Sequence, residues 1–474
     1  MVYARIITVA MFYKRFIPPI IIVVLLAAVF LPVVCMGYVS LDRAESQSAA
    51  QDYAPAAESY EHAARLLPWR DGLWEKAGIA AARSGDETKA IDFLKRAPRL
   101  SAEGWMWLGY SHYAVGDFPS SIHALEESLK LDPQLFTYEL LALIYRSQKN
   151  WTAERNILEA QLRQDMGDVH VQYRLGVLMT VLEPEQALTH LMLVSSLDPE
   201  FDPAVQTLRS ALNLSATQPD ASQQMVTVGR ALGLVQEWNL AVVAFERAIS
   251  LDRKNAQAWA WLGEAKQQIG ESGLVELDHA VLLDHTSVVV RGLRGLYWSR
   301  HEKYSQMLAE YLLAAEYEPG SPAWQAGIAE AYVKRGDLVA ALAAYQHATE
   351  LAPNESTYWR LLAVFCAQNS VHLEDIGLPA AQKAVEISPN DPSVLDALGW
   401  SYLVSGRIAS AEQVLLDVTK RFPNDLSAHI HLAMTYLVQG NRTGAFALLK
   451  SVQGIAPGGI YGEMAGQLLK QYFP

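Results

Sequence analysis

Apolar residues recur along most of this chain at i, i+3, i+4 and i+7, the period of a helix that buries one face. The clearest stretch is Trp105 to Pro133, WMWLGYSHYAVGDFPSSIHALEESLKLDP. It contains one amphipathic run, a Gly-Asp turn, and a second run closed by Asp-Pro. The unit returns about every 34 residues. The last four closing prolines, 353, 389, 423 and 457, are spaced by 36, 34 and 34. A pattern repeated at that period predicts helical hairpins that bury their apolar faces only by stacking on one another.

Further copies follow the same order. Asp71–Leu100 carries Trp74, Gly78, Gly85-Asp86 and Ala90. Phe136–Asp165 and Asp168–Pro199 follow, the latter with a shortened turn at Pro184. Periodicity weakens beyond Pro199, and Ser215–Asp220 (SATQPD) reads as a loop between two arrays. The second array is the more regular, from Val228 to Pro457, with a long turn ahead of Ala384. Ile460–Tyr472 reads as a lone helix capping the last hairpin.

These features resemble the tetratricopeptide repeat (TPR) family. The residues that carry the resemblance are Trp105, Leu108-Gly109, Gly116-Asp117-Phe118 and Pro133. They recur as Tyr332, Gly336-Asp337, Ala341, Tyr345, Ala348 and Pro353. The resemblance runs from near residue 45 to residue 458. It implies an all-α, right-handed α-solenoid of about twelve hairpins, in arrays 40–214 and 221–459 with the 215–220 junction between them and a 460–474 cap. Glycines inside helices, such as Gly109, Gly176 and Gly399, each cost about 1 kcal/mol against alanine. They are expected where a facing helix approaches closely at alanines such as Ala90, Ala187 and Ala445. The large residues Trp74, Trp105, Trp259 and Trp359 are expected to fill gaps between neighbouring hairpins.

One stretch departs from this pattern. Ile17–Val39 is uncharged, long enough to cross a bilayer, and leaves residues 1–16 as a separate amino-terminal segment. Arg5, Lys14 and Arg15 precede it; Asp42 and Glu45 follow, with Arg43 between them. That bias predicts a single-pass signal-anchor with a cytoplasmic amino terminus and extracytoplasmic repeats. A cleaved signal has a shorter apolar core and a small-residue site, and a lipoprotein reading of Cys35 meets bulky Val34. The uncleaved anchor is the preferred reading, with cleavage left open. Pro32 is expected to kink the span.

The chain has 474 residues and a net charge of −13. Four basic and two acidic residues give residues 1–48 a charge of +2, which leaves −15 for the repeats. Such a surface repels phosphate backbones, so no nucleic-acid partner is expected. Two cysteines, Cys35 and Cys366, build no disulfide framework. No HExxH, phosphate loop or GxSxG occurs in a supporting context. His429 and His431, two apart on a helix, point to different faces and predict no metal site. No catalytic residue, cofactor or metal is expected. The sequons at Asn150, Asn213, Asn354 and Asn441 matter only in a eukaryotic secretory route.

The resemblance places a partner groove on the first helix of each hairpin. The candidate binding residues are Tyr110, Tyr113, Leu143 and Arg146, and separately Trp400, Leu403, Met434 and Leu437. The Asn and Lys of the family's carboxylate-clamping members are missing at these positions. The groove therefore suits an apolar or amphipathic polypeptide, unless the array packs these residues internally. The function implied is a membrane-anchored protein-interaction scaffold in a cell-envelope assembly. The alternative is a substrate-recruiting module of a polysaccharide or glycosyl-transfer system.

Overall fold

The computed structural model describes residues 2–473, with side chains from Val24 onward apart from Leu26. The residues before Val24 include the amino-terminal segment 1–16 and the first part of the 17–39 span, whose side chains lie outside the described residues. Among the described residues there are helices and no strands. The chain divides into two compact units, Met1–Leu212 and Asn213–Pro474.

The first unit holds five antiparallel hairpins. They are α1/α2 (Val2–Ala49, Tyr53–Leu66), α3/α4 (Leu73–Arg83, Glu87–Arg96), α5/α6 (Ala102–Ala114, Phe118–Leu131), α7/α8 (Leu135–Ser147, Trp151–Leu162) and α9/α10 (Val169–Leu182, Pro184–Leu197). The division between units falls inside α11 (Asp202–Ala216). This helix takes up Ser215 and Ala216, so the loop expected at 215–220 is shorter, and Asp220 caps the next helix by accepting from Ser222 N.

The second unit holds seven hairpins. They are α12/α13 (Ala221–Leu234, Trp238–Leu251), α14/α15 (Ala256–Gln268, Leu274–Leu283), α16/α17 (Val288–Arg300, Tyr304–Tyr317), α18/α19 (Pro322–Lys334, Leu338–Leu351), α20/α21 (Ser356–Asn369, Leu378–Ile387), α22/α23 (Pro392–Val404, Ile408–Arg421) and α24/α25 (Leu426–Val438, Arg442–Ile455). A last helix, α26 (Ile460–Tyr472), lays Ala465 and Leu469 on Ile430, Ala433, Leu449 and Val452.

Local chemistry sets the turns. Gly116 adopts φ +81°, the left-handed conformation that ends α5, and Asp117 then caps α6 by accepting from Ser120 N. Gly336-Asp337 repeats the device, with Ala340 N as the donor. The long turn before α21 contains a π-helical segment, Leu373–Gly377, entered through Ser370 and His372 at positive φ.

The in-helix glycines face large side chains rather than the alanines expected. A Cβ on Gly109 would lie 2.5 Å from Leu125 Cγ, and one on Gly399 equally close to Leu415 Cγ. The alanine sits one turn earlier on the facing helix, at Ala411 for Leu415. The missing Cβ therefore admits a leucine knob between the two helices of a hairpin. The tryptophans also pack within their hairpins. The rings of Trp74, Trp105 and Trp259 meet Phe93, His123 and His279 on the second helix of their own hairpins. Trp259 and Trp359 also donate from Nε1 to the linker ahead of their own helix, to the Arg253 carbonyl at 3.0 Å and the Pro353 carbonyl at 2.9 Å.

Helix α1 is continuous through Pro32 and across Val39–Ser40. Among its described residues, Ala27–Ala49 is long and apolar enough to cross a membrane, as an anchor or signal sequence would be. The carboxyl half of α1 is also the first helix of the first hairpin, where Leu41 and Ala44 are buried with Ala56, Tyr60, Ala63 and Leu67.

Candidate partner-binding grooves

In the second unit, α20, α22, α24 and α26 pack in succession as one layer. Between them lies a cleft of about 890 Å³, within the range of ligand sites. Val364, Trp400, Met434, Met464 and Leu468 make its apolar walls, and Arg360 of α20 stands at one side. A second cleft of about 380 Å³ adjoins it, lined by Trp400, Leu403, Met434, Leu437 and Leu468. The four residues expected on α22 and α24 thus share one wall, with Trp400 and Met434 common to both clefts. Leu403 is buried and the other three are half-buried.

A polar pole sits within the apolar walls. Asp396 is buried in α22 and accepts from Ser427 Oγ at 2.7 Å. It also accepts from His431 Nδ1 at 2.7 Å. The carboxylate fixes the ring tautomer, because a carboxylate only accepts. The same imidazole stacks on Trp400, with centroids 4.4 Å apart and an interplanar angle of 23°. This pairing sets the Trp400 ring as a rigid plate on the cleft wall. His429 turns away and bonds the Asp425 carbonyl of its own helix. No group of three metal-ligating side chains occurs among the described residues.

Sequence reasoning missed Asp396, His431, Arg360 and the α26 residues Tyr461 and Met464. A signal for Asp396 was present, since it is the one charged residue in PSVLDALGWSYLV. The cap helix was read as a cover, yet its Tyr461, Met464 and Leu468 wall the larger cleft.

The candidates of the first unit do not converge in the same way. Tyr110 packs edge-on to Trp107 and against Phe136, and Tyr113 against Phe118. Both tyrosines are half-buried around Leu125, Leu140 and Ile144. Leu143 and Arg146 line a separate cleft of about 370 Å³ with His170 and Arg174. Arg146 is already engaged there. The fully buried Glu154 accepts from Arg146 Nε at 2.8 Å and from Arg174 Nε at 2.7 Å.

Three tetratricopeptide repeat models match the chain, over residues 102–135, 306–364 and 397–460. These three stretches are tetratricopeptide repeats. The last match takes in α22 from Ala397 onward and the whole of α24. Proteins built of TPRs are in general non-catalytic scaffolds for other proteins, and nothing points to an enzyme here. Over 257 residues the chain is 23% identical to human Superkiller complex protein 3, covering 51% of this chain and 15% of that protein. It is 37% identical over 49 residues to a TPR repeat-containing protein of Pseudomonas aeruginosa, covering 10% of this chain and 8% of that one. The chain therefore matches only a small part of either relative's length. Among solved structures it is similar to yeast Tom70, at 14% identity over 92% of this chain and 95% of that one, with a TM-score of 0.43. It is also similar to Pseudomonas aeruginosa PilF, at 15% identity over 44% and 95%, with a TM-score of 0.37.

Proposed function

We propose that this protein is a membrane-anchored scaffold whose second unit docks a partner polypeptide in the cleft between α20, α22, α24 and α26. The observation that carries the reading is the cleft itself. Its walls are apolar and its aromatic plate, Trp400, is held by the Asp396–His431 pair. Aromatic residues locked in place make good contact surfaces because little side-chain entropy is lost on binding. Methionines 434 and 464 add side chains that adapt to a partner. A segment presenting apolar side chains, with a polar group toward Asp396 and His431, fits these walls.

The anchor is the 17–39 stretch, with the amino terminus in the cytoplasm and the repeats outside it, as the flanking charges favour. A place in a cell-envelope assembly follows from that topology. The N-terminal candidates Tyr110, Tyr113, Leu143 and Arg146 form a weaker second surface, because packing and Glu154 already engage most of them.

Photo-crosslinking in the native membrane tests the docking. A crosslinker at Met464 should yield adducts with a polypeptide, and Trp400→Ala should remove them. A crosslinker at Val339, highly exposed on α19, is the control. Equal adducts at both positions, or none at Met464, would refute the groove.

A further inference from the structure

We propose that the loop closing the first hairpin, Leu67–Gly72, rests in the headgroup layer of the bilayer, with the Trp69 ring at headgroup depth and Arg70 on lipid phosphate. This rests on reading α1 as a membrane anchor and adds a second contact beside it.

The register of α1 against α2 puts the loop there. Ser59 Oγ donates to Gln47 Oε1 at 2.8 Å at one end of the hairpin. Ser40 Oγ and His62 Nδ1 are hydrogen-bonded at 2.8 Å further along. At the other end Leu67 fills the space a side chain on Gly37 would need, since a Cβ there would lie 2.6 Å from Leu67 Cγ. Val34 packs against the cluster that contains Leu67 and Leu73. Helix α2 therefore runs back along α1 into the end of the apolar stretch.

Length then fixes depth. The uncharged run between Arg15 and Asp42 covers residues 16–41, roughly 39 Å of helix at 1.5 Å per residue. The hydrocarbon core takes roughly 30 Å, about 20 residues. Counted from Ile17, the core ends near Met36, and the residues beyond it lie in the interface. Gly37 and Tyr38, the level at which Leu67 and Arg70 meet α1, fall in that layer.

The side chains at this level have the chemistry of an interface. Trp69 is 60% exposed and Tyr38 is 46% exposed. The Arg70 guanidinium lies 5.7 Å from the Tyr38 ring centroid. Tryptophan and tyrosine favour headgroup depth because one end of each ring is apolar and the other polar. Arginine extends its charge to the phosphates. Within the loop, Arg70 N donates to the Leu67 carbonyl at 2.9 Å, and Gly72 enters α3 at φ +83°. Beyond residue 48 the repeats carry −15, so an anionic bilayer repels the rest of the array and contact stays at this tip.

Spin-label depth measurements on the full chain in phosphatidylethanolamine and phosphatidylglycerol vesicles test this. Cys35→Ser removes the exposed native thiol, while the fully buried Cys366 is left in place. Labels are placed singly at Val29→Cys, Trp69→Cys and Ala50→Cys, all exposed positions. Collision with oxygen should exceed collision with a nickel chelate most at residue 29. The excess should be intermediate at 69, with residue 50 behaving as in water. A label at 69 as aqueous as that at 50, with 29 still deep, overturns the loop contact alone. A label at 69 as deep as that at 29 overturns the headgroup placement. An aqueous label at 29 overturns the anchor reading and the loop contact with it.

Discussion

His431 of α24 donates from Nδ1 to Asp396 Oδ1 of α22 at 2.7 Å, which ties consecutive hairpins together through a buried carboxylate. Removing the imidazole leaves Asp396 with the Ser427 hydroxyl as its remaining hydrogen-bond donor. A buried charge that loses a partner costs about 1.5–3 kcal/mol. His431→Leu should lower unfolding stability by about that amount in urea titrations of the full chain. Asp396→Leu combined with His431→Leu should recover part of it, because no lone carboxylate then remains. The double variant should also free the Trp400 ring, seen as faster relaxation of its indole NMR signals. If the double variant is as unstable as the sum of its parts, the two side chains do not act as a pair.

Gly109 and Leu125 make a second test, this time of the hairpin interior. Leu125 occupies the space that a side chain at position 109 would need. Gly109→Ala should therefore destabilise through overpacking by about 1–3 kcal/mol, despite the gain in helix propensity. Leu125→Ala leaves a cavity and should cost about 2–5 kcal/mol. Gly109→Ala introduced into Leu125→Ala should be neutral or restoring, so the coupling energy of the cycle should have the opposite sign to the first effect. Additive losses in thermal unfolding would show that the knob is not what excludes the methyl group.

The repeat, its turns and its caps were legible because they are local. Gly116-Asp117 and Gly336-Asp337 give a left-handed residue followed by a capping carboxylate within two positions, and each lies between two helical periods. The wall shared by Trp400, Leu403, Met434 and Leu437 was also legible, because equivalent positions of adjacent repeats stack. The polar pole was not. Asp396 meets a residue 35 positions away, and helical periodicity does not say which of two histidines, 429 or 431, turns toward it. The cap helix was found as a helix but not as a wall. Its apolar face serves both roles, and only the stacking direction of α26 on α24 separates them. The first unit misled in the opposite way. Arg146 reads as a free cation at a groove position until Glu154, eight residues on, is seen to hold it.

A buried ion cluster in the second unit gives a third prediction. Glu310 of α17 is buried and accepts from Arg291 Nη1 at 2.9 Å and from Arg294 Nη1 at 2.6 Å. Glu310→Leu strands Arg291, which is itself buried, and should cost about 3–5 kcal/mol. The loss should vary little between low and high salt, since screening acts weakly on pairs away from water. Asp278, which pairs with Arg294 at 2.7 Å from an exposed position, is the contrast. Asp278→Asn should cost at most about 1 kcal/mol. A Glu310→Leu loss that disappears in high salt would assign the cluster to the surface.

Acid should weaken the first unit through His190. Its Nδ1 lies 2.7 Å from Gln172 Oε1, between α10 and α9. Burial is the largest influence on its pKa and holds it below the ordinary 6.5, while the Glu159 charge opposes that shift. The unfolded chain therefore binds the proton more readily than the folded one. Above about 6.5 both forms are neutral, and His190 adds no pH dependence. As pH falls through the unfolded value, the unfolded state gains a proton first and folding stability drops. The loss is complete once pH lies below the depressed folded value. His190→Gln keeps a polar side chain in place but cannot titrate. Melting curves from about pH 7.5 down to about pH 5 should show a smaller acid loss in His190→Gln than in the parent. Equal losses in the two proteins would place the acid sensitivity elsewhere, and a parent more stable in acid would reverse the sign of the His190 effect.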